Sequence, residues 1–318
     1  DGPSLTHMSK QQVRLVEVGT DQAGRRLDNF LAALLKPAPK SFIYRIIRRG
    51  EVRVNGGRAR PDRKLAAGDT VRVPPVHAEE SGPRPLSEAT LALVRDAIIY
   101  EDAAVLILNK PAGMAVHAGT GLQFGVVDVV RHLRPAVPGI ELVHRLDRDT
   151  SGCLVLAKDY PSLRELQAQL RSPASHKTYV ALLDGALSAP QVDVDLCLQT
   201  TRHGGEKRTE VAAGGKTAHT RFRSVEAFAD SCLVEAEITT GRTHQIRVHA
   251  AALGHPVIGD KKYATAELNS RHRERGFKRM FLHARSIHLR SPAGGERRAV
   301  TAPWPRELQR YLEILRQP

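Results

Sequence analysis

Two short apolar runs, Ile140–Val143 and Cys153–Ala157, bracket nine residues of a different character: His144-Arg145-Leu146-Asp147-Arg148-Asp149-Thr150-Ser151-Gly152. The second run has the length and composition of a buried strand. Two arginines, two aspartates and a histidine cannot follow it into the core unpaired, so the chain must turn outward here, with Thr150-Ser151-Gly152 as the turn. A loop held between two core strands exposes its side chains while keeping them rigid, which suits a reaction site. The plainer alternative is a solvated charged turn, and these nine residues alone do not choose between the two.

At 318 residues the chain is long enough for two domains, and 41% hydrophobic residues supply ample core. The longest unbroken apolar run, Ala103 to Leu108, is far short of a membrane span. No charged-then-apolar leader opens the chain, and residues 1–8 read as an expression scar. Three dispersed cysteines, Cys153, Cys197 and Cys232, argue against a disulfide framework and fit a reducing cytoplasm. CxxC and HExxH are absent, and His244 and His249 are wrongly spaced for one helical face, so no metal centre is expected. The formal net charge of +14 is the strongest global signal. A chain this basic meets a polyanion, and without an amphipathic basic helix bearing aromatic anchors the polyanion is nucleic acid rather than membrane.

The first domain is expected over 13–75. Val13 to Val18 reads as a strand, and Leu27, Phe30, Leu31 and Leu34 form the apolar stripe of a helix. After the Lys36-Pro37-Ala38-Pro39 break a second helix, capped by Ser41, turns Ile43, Ile46 and Ile47 inward and its arginines outward. Glu51 to Val54 alternates like a strand, Asn55-Gly56 marks a tight turn, and Thr70 to Val73 is strand-like again. Basic residues spread over a helix, a strand and a turn form a nucleic-acid footprint rather than one solvated face. Prolines, glycines and glutamates mark a linker, taken as 76–95, before a second domain over 96–318.

In that second domain Val105–Leu108 is a buried strand, Gly125 to Leu133 a helix, and Leu163, Leu166 and Leu170 the core side of another. Tyr179 to Leu183 reads as a strand, Thr220 to Thr239 as an antiparallel pair turning near Ala229-Asp230, and Phe281 to Leu289 as a strand. A helix over Thr243 to Leu253 would place His244, Arg247 and Ala251 on one face. A final helix carries Leu308, Tyr311, Leu312 and Leu315. Strands of uneven length with irregularly interspersed helices indicate an α+β fold with a mixed, largely antiparallel sheet flanked by helices.

The chain has no P-loop; Gly119-Thr120-Gly121 lacks the third glycine of a dinucleotide fingerprint, and Ser151 lacks a nucleophile elbow. Chemistry would therefore rest on carboxylates, arginine and a tyrosine, with no cofactor. Arg247 on its helix is the candidate partner of an aspartate, because an adjacent guanidinium keeps a carboxylate ionised and in one rotamer.

These motifs, in this order, closely resemble the RluA-type pseudouridine synthases. Glu141 to Gly152 resembles their signature, preceded by Leu108-Asn109-Lys110-Pro111-Ala112-Gly113 and Val116-His117. His176-Lys177-Thr178-Tyr179, Thr240 to His249, Gly254-His255-Pro256 and Phe281-Leu282-His283-Ala284 match the later motifs. Pro39-Lys40-Ser41, Gly50 to Asn55 and Gly121 to Gly125 point to the RluC type rather than the RluD type. The first domain resembles the S4 RNA-binding module, from Gly24-Arg25-Arg26-Leu27-Asp28 to Ala67-Gly68-Asp69.

The resemblance implies conversion of uridines in large-subunit (23S) rRNA to pseudouridine by a cytoplasmic, monomeric enzyme acting on that RNA or on an assembly intermediate. Asp147 would be the catalytic carboxylate, adding at C1′ or removing the C2′ proton, with Arg247 as its partner and Tyr179 against the uracil. Arg145 would fill the stack left by a flipped uridine, and Asp149 would stay outside the chemistry. In the S4-like domain Lys40, Arg45, Arg48, Arg49, Arg53 and Arg58 would face RNA. The competing class is a catalytically silent S4-bearing assembly factor.

Overall fold

The computed structural model describes residues 13–35, 38, 40–75, 86–118, 124–203 and 206–317, without the side chains of residues 40, 41, 202, 203 and 206. Residues 1–8, the Lys40 side chain, residues 76–85 of the expected linker and all but the end of the Gly121–Gly125 stretch lie outside the described residues. The chain divides into two compact units, residues 1–85 and 86–318.

The first unit runs β1 (Arg14–Glu17), α1 (Leu27–Leu34), α2 (Lys40–Arg48), β2 (Arg53–Val54) and β3 (Thr70–Val73). Its antiparallel sheet has the order β1-β3-β2. Leu27, Phe30 and Leu31 of α1 and Ile43, Ile46 and Ile47 of α2 pack with Val52, Val54, Leu65, Val71 and Val73. Each such side chain, once buried, contributes about 1.5–3 kcal/mol. The strand expected from Glu51 shrinks to Arg53–Val54 because the N–H groups of Glu51 and Val52 donate to the Ile46 carbonyl at the end of α2. Asn55 takes a left-handed conformation (φ 51°) in the turn, donates to the Asp69 carboxylate at 2.7 Å and accepts from the Thr70 N–H at 2.8 Å. Arg45, Arg48, Arg49 and Arg58 are exposed and Arg53 is half-buried.

The second unit begins with α3 (Glu88–Asp96), β4 (Ile98–Glu101), β5 (Val105–Lys110), α4 (Val126–Leu133), β6 (Glu141–Leu142) and β7 (Ser151–Ala157). It continues with α5 (Tyr160–Arg171), β8 (Lys177–Asp184), β9 (Gln191–Asp195), β10 (Leu198–His203), β11 (Glu206–Val211), β12 (His219–Ala227) and β13 (Ser231–Ile238). The last elements are α6 (Gln245–Ala252), α7 (Ala266–Glu274), β14 (Leu282–Leu289), β15 (Arg298–Thr301) and α8 (Arg306–Leu315). The main sheet follows β4-β5-β7-β14-β8-β13-β12-β9, with β6 on β7 and β15 on β14. Its pairs are antiparallel except β7 with β14, so the mixed, largely antiparallel α+β architecture is present.

Part of the expected linker is helical. Ser87 accepts the Thr90 N–H at 3.2 Å as the cap of α3, and Leu91 and Val94 enter the same core as α4, β5 and β7. Proline-rich composition obscured that apolar pair. Ile246 and Ala250 of α6 pack on Ala181, Leu183 and Val234, whereas Leu308 and Leu312 of α8 pack on Leu182 and Leu233. Successive strand residues face opposite ways, so α6 and α8 cover opposite faces of the sheet. Tyr179 belongs to the α6 face.

Candidate active site

The loop between β6 and β7 carries His144 to Thr150. Ser151 and Gly152, expected as part of the turn, instead begin β7. Gly152 is required there: at φ 112° a Cβ would stand 2.2 Å from the Ala284 carbonyl oxygen of β14. That close approach sets Gly152 beside Ala284, Ala284 beside Tyr179, and Tyr179 beside Ala236 across four strands. Small neighbours on both sides leave the Tyr179 ring open.

The loop is tied down at both ends. The Val155 N–H donates to His144 Nε2 at 3.1 Å, which fixes that nitrogen as an acceptor. Burial and the nearby Lys177 charge push His144 down to about 4, so the imidazole is neutral. Lys110 is fully buried and donates to the carbonyls of Pro111 and Met114 at 2.8 Å and of Arg148 at 3.0 Å. Gly113 and Arg148 exchange two further bonds. At the far end the Ser151 hydroxyl meets His283 Nδ1 at 2.9 Å and accepts from Arg279 at 2.9 Å.

This frame delivers Asp147 to an open cleft of about 1410 Å³, lined also by Arg145, Tyr179, His244 and Arg247. Arg247 donates to Asp147 Oδ2 at 2.8 Å through Nη1 and grips Asp260 with Nε (2.7 Å) and Nη2 (2.9 Å). Asp260 is fully buried, and its carboxylate also accepts the N–H groups of Lys262 and Tyr263. Burial opposes both charges, yet the Arg247 pairing and the backbone donors lower the Asp260 carboxyl, and the two aspartates raise Arg247. Both stay ionised, so Arg247 is a fixed cation rather than the surface arginine its charge would suggest. Gly259 allows the turn into Asp260 at φ 81°, where a Cβ would collide with the Arg279 carbonyl oxygen.

The helix expected from Thr243 begins at Gln245. His244 takes a left-handed conformation (φ 55°), so it does not share a helical face with Arg247 and Ala251. Its ring turns to the cleft, with Nδ1 2.7 Å from the Tyr263 hydroxyl and Nε2 3.8 Å from Asp147 Oδ1. One aspartate oxygen is thus held by Arg247, and the other faces His244 and the open space. Burial, reinforced by the negative charge of Asp147, raises the Tyr179 hydroxyl, which stays protonated.

Asp147, Arg247 and Tyr179 therefore meet in one cleft, and Arg145 stands exposed on its wall. Asp149 is exposed and outside the Arg247 pairing. Asp260 was not anticipated. The signal for it was an aspartate closing the apolar run Val257-Ile258-Gly259, a position where burial demands a cation. Arg45, Arg48, Arg49, Arg53 and Arg58 belong to the other unit.

Comparisons with known proteins show the family. A family model described as RNA pseudouridylate synthase matches residues 104–252, and an S4 domain model matches residues 25–71. Ribosomal large subunit pseudouridine synthase C of Yersinia pestis is 45% identical over 314 residues, covering 96% of each chain. That of Escherichia coli (strain K12) is 45% identical over 309 residues, 96% of this chain and 97% of the relative. Among solved structures, human RNA pseudouridylate synthase domain containing 4 matches with a TM-score of 0.60 at 24% identity, over 72% of this chain and 96% of its own, which bears on the fold alone. Human RNA pseudouridylate synthase domain containing 1 matches with a TM-score of 0.53 at 27% identity, over 66% of this chain and 83% of its own. No helix among the described residues is long and apolar enough to cross a membrane. An S4 domain, a mixed sheet, and the motifs of the RluA-type signature in order along it mark a chain that belongs to the RNA pseudouridine synthase family.

Proposed function

We propose that this enzyme isomerises uridines of large-subunit (23S) rRNA to pseudouridine in the cytoplasm, as a monomer, with Asp147 as the reacting carboxylate and no cofactor. The observation that carries the reading is the 2.8 Å contact between Asp147 and an arginine itself clamped by buried Asp260. A preset cation of this kind aims the carboxylate without reorganising during the reaction. The names of the relatives support the choice of RNA.

The N1–C1′ bond breaks, the uracil turns, and C5 bonds to C1′. No atom is gained or lost, so the chemistry asks for no redox partner. Asp147 Oδ1, the oxygen outside the Arg247 contact, either adds at C1′ or takes the C2′ proton. Tyr179 packs against the base, with its hydroxyl near the C5 proton. A uridine in folded RNA must first be flipped out, at a cost of a few kcal/mol, and Arg145 occupies the vacated stack. Asp149 supports the loop rather than the reaction. The S4 domain contributes RNA contacts through Lys40, Arg45, Arg48, Arg49, Arg53 and Arg58.

The test is tritium release from 5-labelled uridine in 23S rRNA, or in an assembly intermediate, with pseudouridine mapped in the product. Asp147→Ala should abolish release and leave RNA affinity largely intact. A variant that still isomerises uridine overturns the assignment, and free uracil with abasic RNA would identify a glycosidase instead.

A further inference from the structure

Strand β8 brings a second group into the cleft. Lys177 and Tyr179 are two residues apart, so their side chains leave the same face of the sheet about 7 Å from each other along the strand. Both line the cleft. Lys177 is only 8% exposed, yet among the described residues its ammonium makes a single long hydrogen bond, 3.4 Å to the Leu170 carbonyl in the last turn of α5. Among the described residues no carboxylate pairs with it. The negative end of the α5 dipole tolerates a cation there without neutralising it.

The contrast with Lys110 is informative. That ammonium is also buried, but three short bonds to backbone carbonyls use all its donors. Among the described residues, Lys177 keeps donors that meet no protein acceptor. Opposite it stands Gly241, where a Cβ would meet only the Lys177 ammonium, at 3.8 Å, so space is left over the charge. Burial lowers the Lys177 pKa, the mark of a cation that gains when an anion arrives.

On the reading of function above, such an anion forms during the reaction. When the N1–C1′ bond breaks, its electron pair stays with uracil and spreads over N1, O2 and O4. Asp147 meanwhile bonds C1′ or takes the C2′ proton. When the C5–C1′ bond forms, Asp147 leaves C1′ as the carboxylate or returns the proton to C2′, and the C5 proton then departs to solvent as N1 takes one up, which gives a neutral ring. We propose that Lys177 is a further catalytic residue, whose ammonium donates to an exocyclic oxygen of the uracil and stabilises the detached uracil anion. A base lying against Tyr179 spans the strand spacing to Lys177. A backbone phosphate is the poorer fit, because Arg145, Arg171, Lys207 and Arg208 stand exposed on the cleft walls, whereas Lys177 lies deep beside the tyrosine.

A better leaving group needs less of this help, and fluorine at C5 makes the N1 anion of uracil more stable. Glycosidic cleavage of target uridine and of 5-fluorouridine in the same rRNA fragment is measured in single turnover by nucleoside digestion and mass spectrometry. Lys177→Met should slow uridine cleavage by roughly 10²-fold, the usual cost of one oxyanion donor, and slow 5-fluorouridine cleavage at least about tenfold less. Affinity for the RNA and its salt dependence should stay unchanged. Equal slowing of both substrates overturns the proposal. So does a loss confined to affinity with a shallower salt slope, which would assign Lys177 to a phosphate. Lys177→Gln provides the same comparison if the methionine variant does not fold, since the substrate ratio is read within one variant. Wild-type enzyme that leaves uridine untouched would instead overturn the reading of function itself.

Discussion

Arg247 and Asp260 form a fork-to-fork pair inside the protein, at 2.7 and 2.9 Å, and the third nitrogen of that guanidinium, Nη1, is what reaches Asp147. The pair is buried on both sides. Removing one partner leaves a buried charge unmatched, so Asp260→Ala should cost about 3–5 kcal/mol in urea denaturation. Arg247→Lys keeps the charge but cannot serve two carboxylates in one plane. Its single-turnover rate should fall by at least about tenfold with RNA affinity little changed. A rate equal to wild type would show that Arg247 does not aim Asp147.

Tyr179 carries a hydroxyl whose pKa is raised by burial and by Asp147. It stays a neutral phenol, and on the proposed reading it acts by packing against the base and by a hydrogen bond that assists proton loss from C5. Tyr179→Phe should therefore bind RNA and cleave the glycosidic bond, but release tritium from C5 more slowly, by roughly 10²-fold. Comparing uridine loss with tritium release in one time course separates the two steps. Parallel slowing of both would return Tyr179 to a purely packing role.

His144 and His283 hold the two ends of the loop that carries Asp147 as neutral rings, each pushed from 6.5 down to about 4 chiefly by burial. Between those values the unfolded chain takes up protons that the folded one refuses. Stability is therefore full above pH 6.5 and is lost as the pH falls towards about 4, where this contribution levels off. Urea midpoints taken across that window should fall with acidification. His283→Asn should flatten the dependence, and an unchanged slope would show that His283 is not kept neutral by the fold.

Arg45, Arg48, Arg49 and Arg58 are exposed on the first unit. Substituting Arg45 and Arg48 with alanine should weaken rRNA binding and reduce the salt slope by roughly 0.7–0.9 for each phosphate no longer neutralised. Single-turnover chemistry at saturating RNA should be unaffected. A salt slope equal to wild type would remove these arginines from the interface.

Much of this was legible in the chain itself. The apolar stripes of α1 and α2, the strand that becomes β7 and the hairpin of β12 and β13 are local patterns, set by periodicity and turn chemistry within a dozen residues. The order of motifs placed Asp147, Tyr179 and Arg247 in one family signature. Local pattern failed where composition misled, as in α3, whose Leu91 and Val94 are overshadowed by the prolines before them. It failed again at His244, whose left-handed backbone delays the start of the helix from Thr243 to Gln245.

What only the tertiary structure decided is which charges are buried and who faces them. Asp260 lies 13 residues beyond Arg247 and 113 beyond Asp147, and nothing in its neighbourhood names either as a partner. Lys110 and Lys177 are both lysines of strand motifs, yet one spends its donors on carbonyls and the other holds them over the cleft. The physical reason is that a charge becomes consequential only when water is removed from around it. That removal depends on which strands adjoin and which backbone carbonyls they bring, an outcome of long-range pairing that no local window of sequence contains.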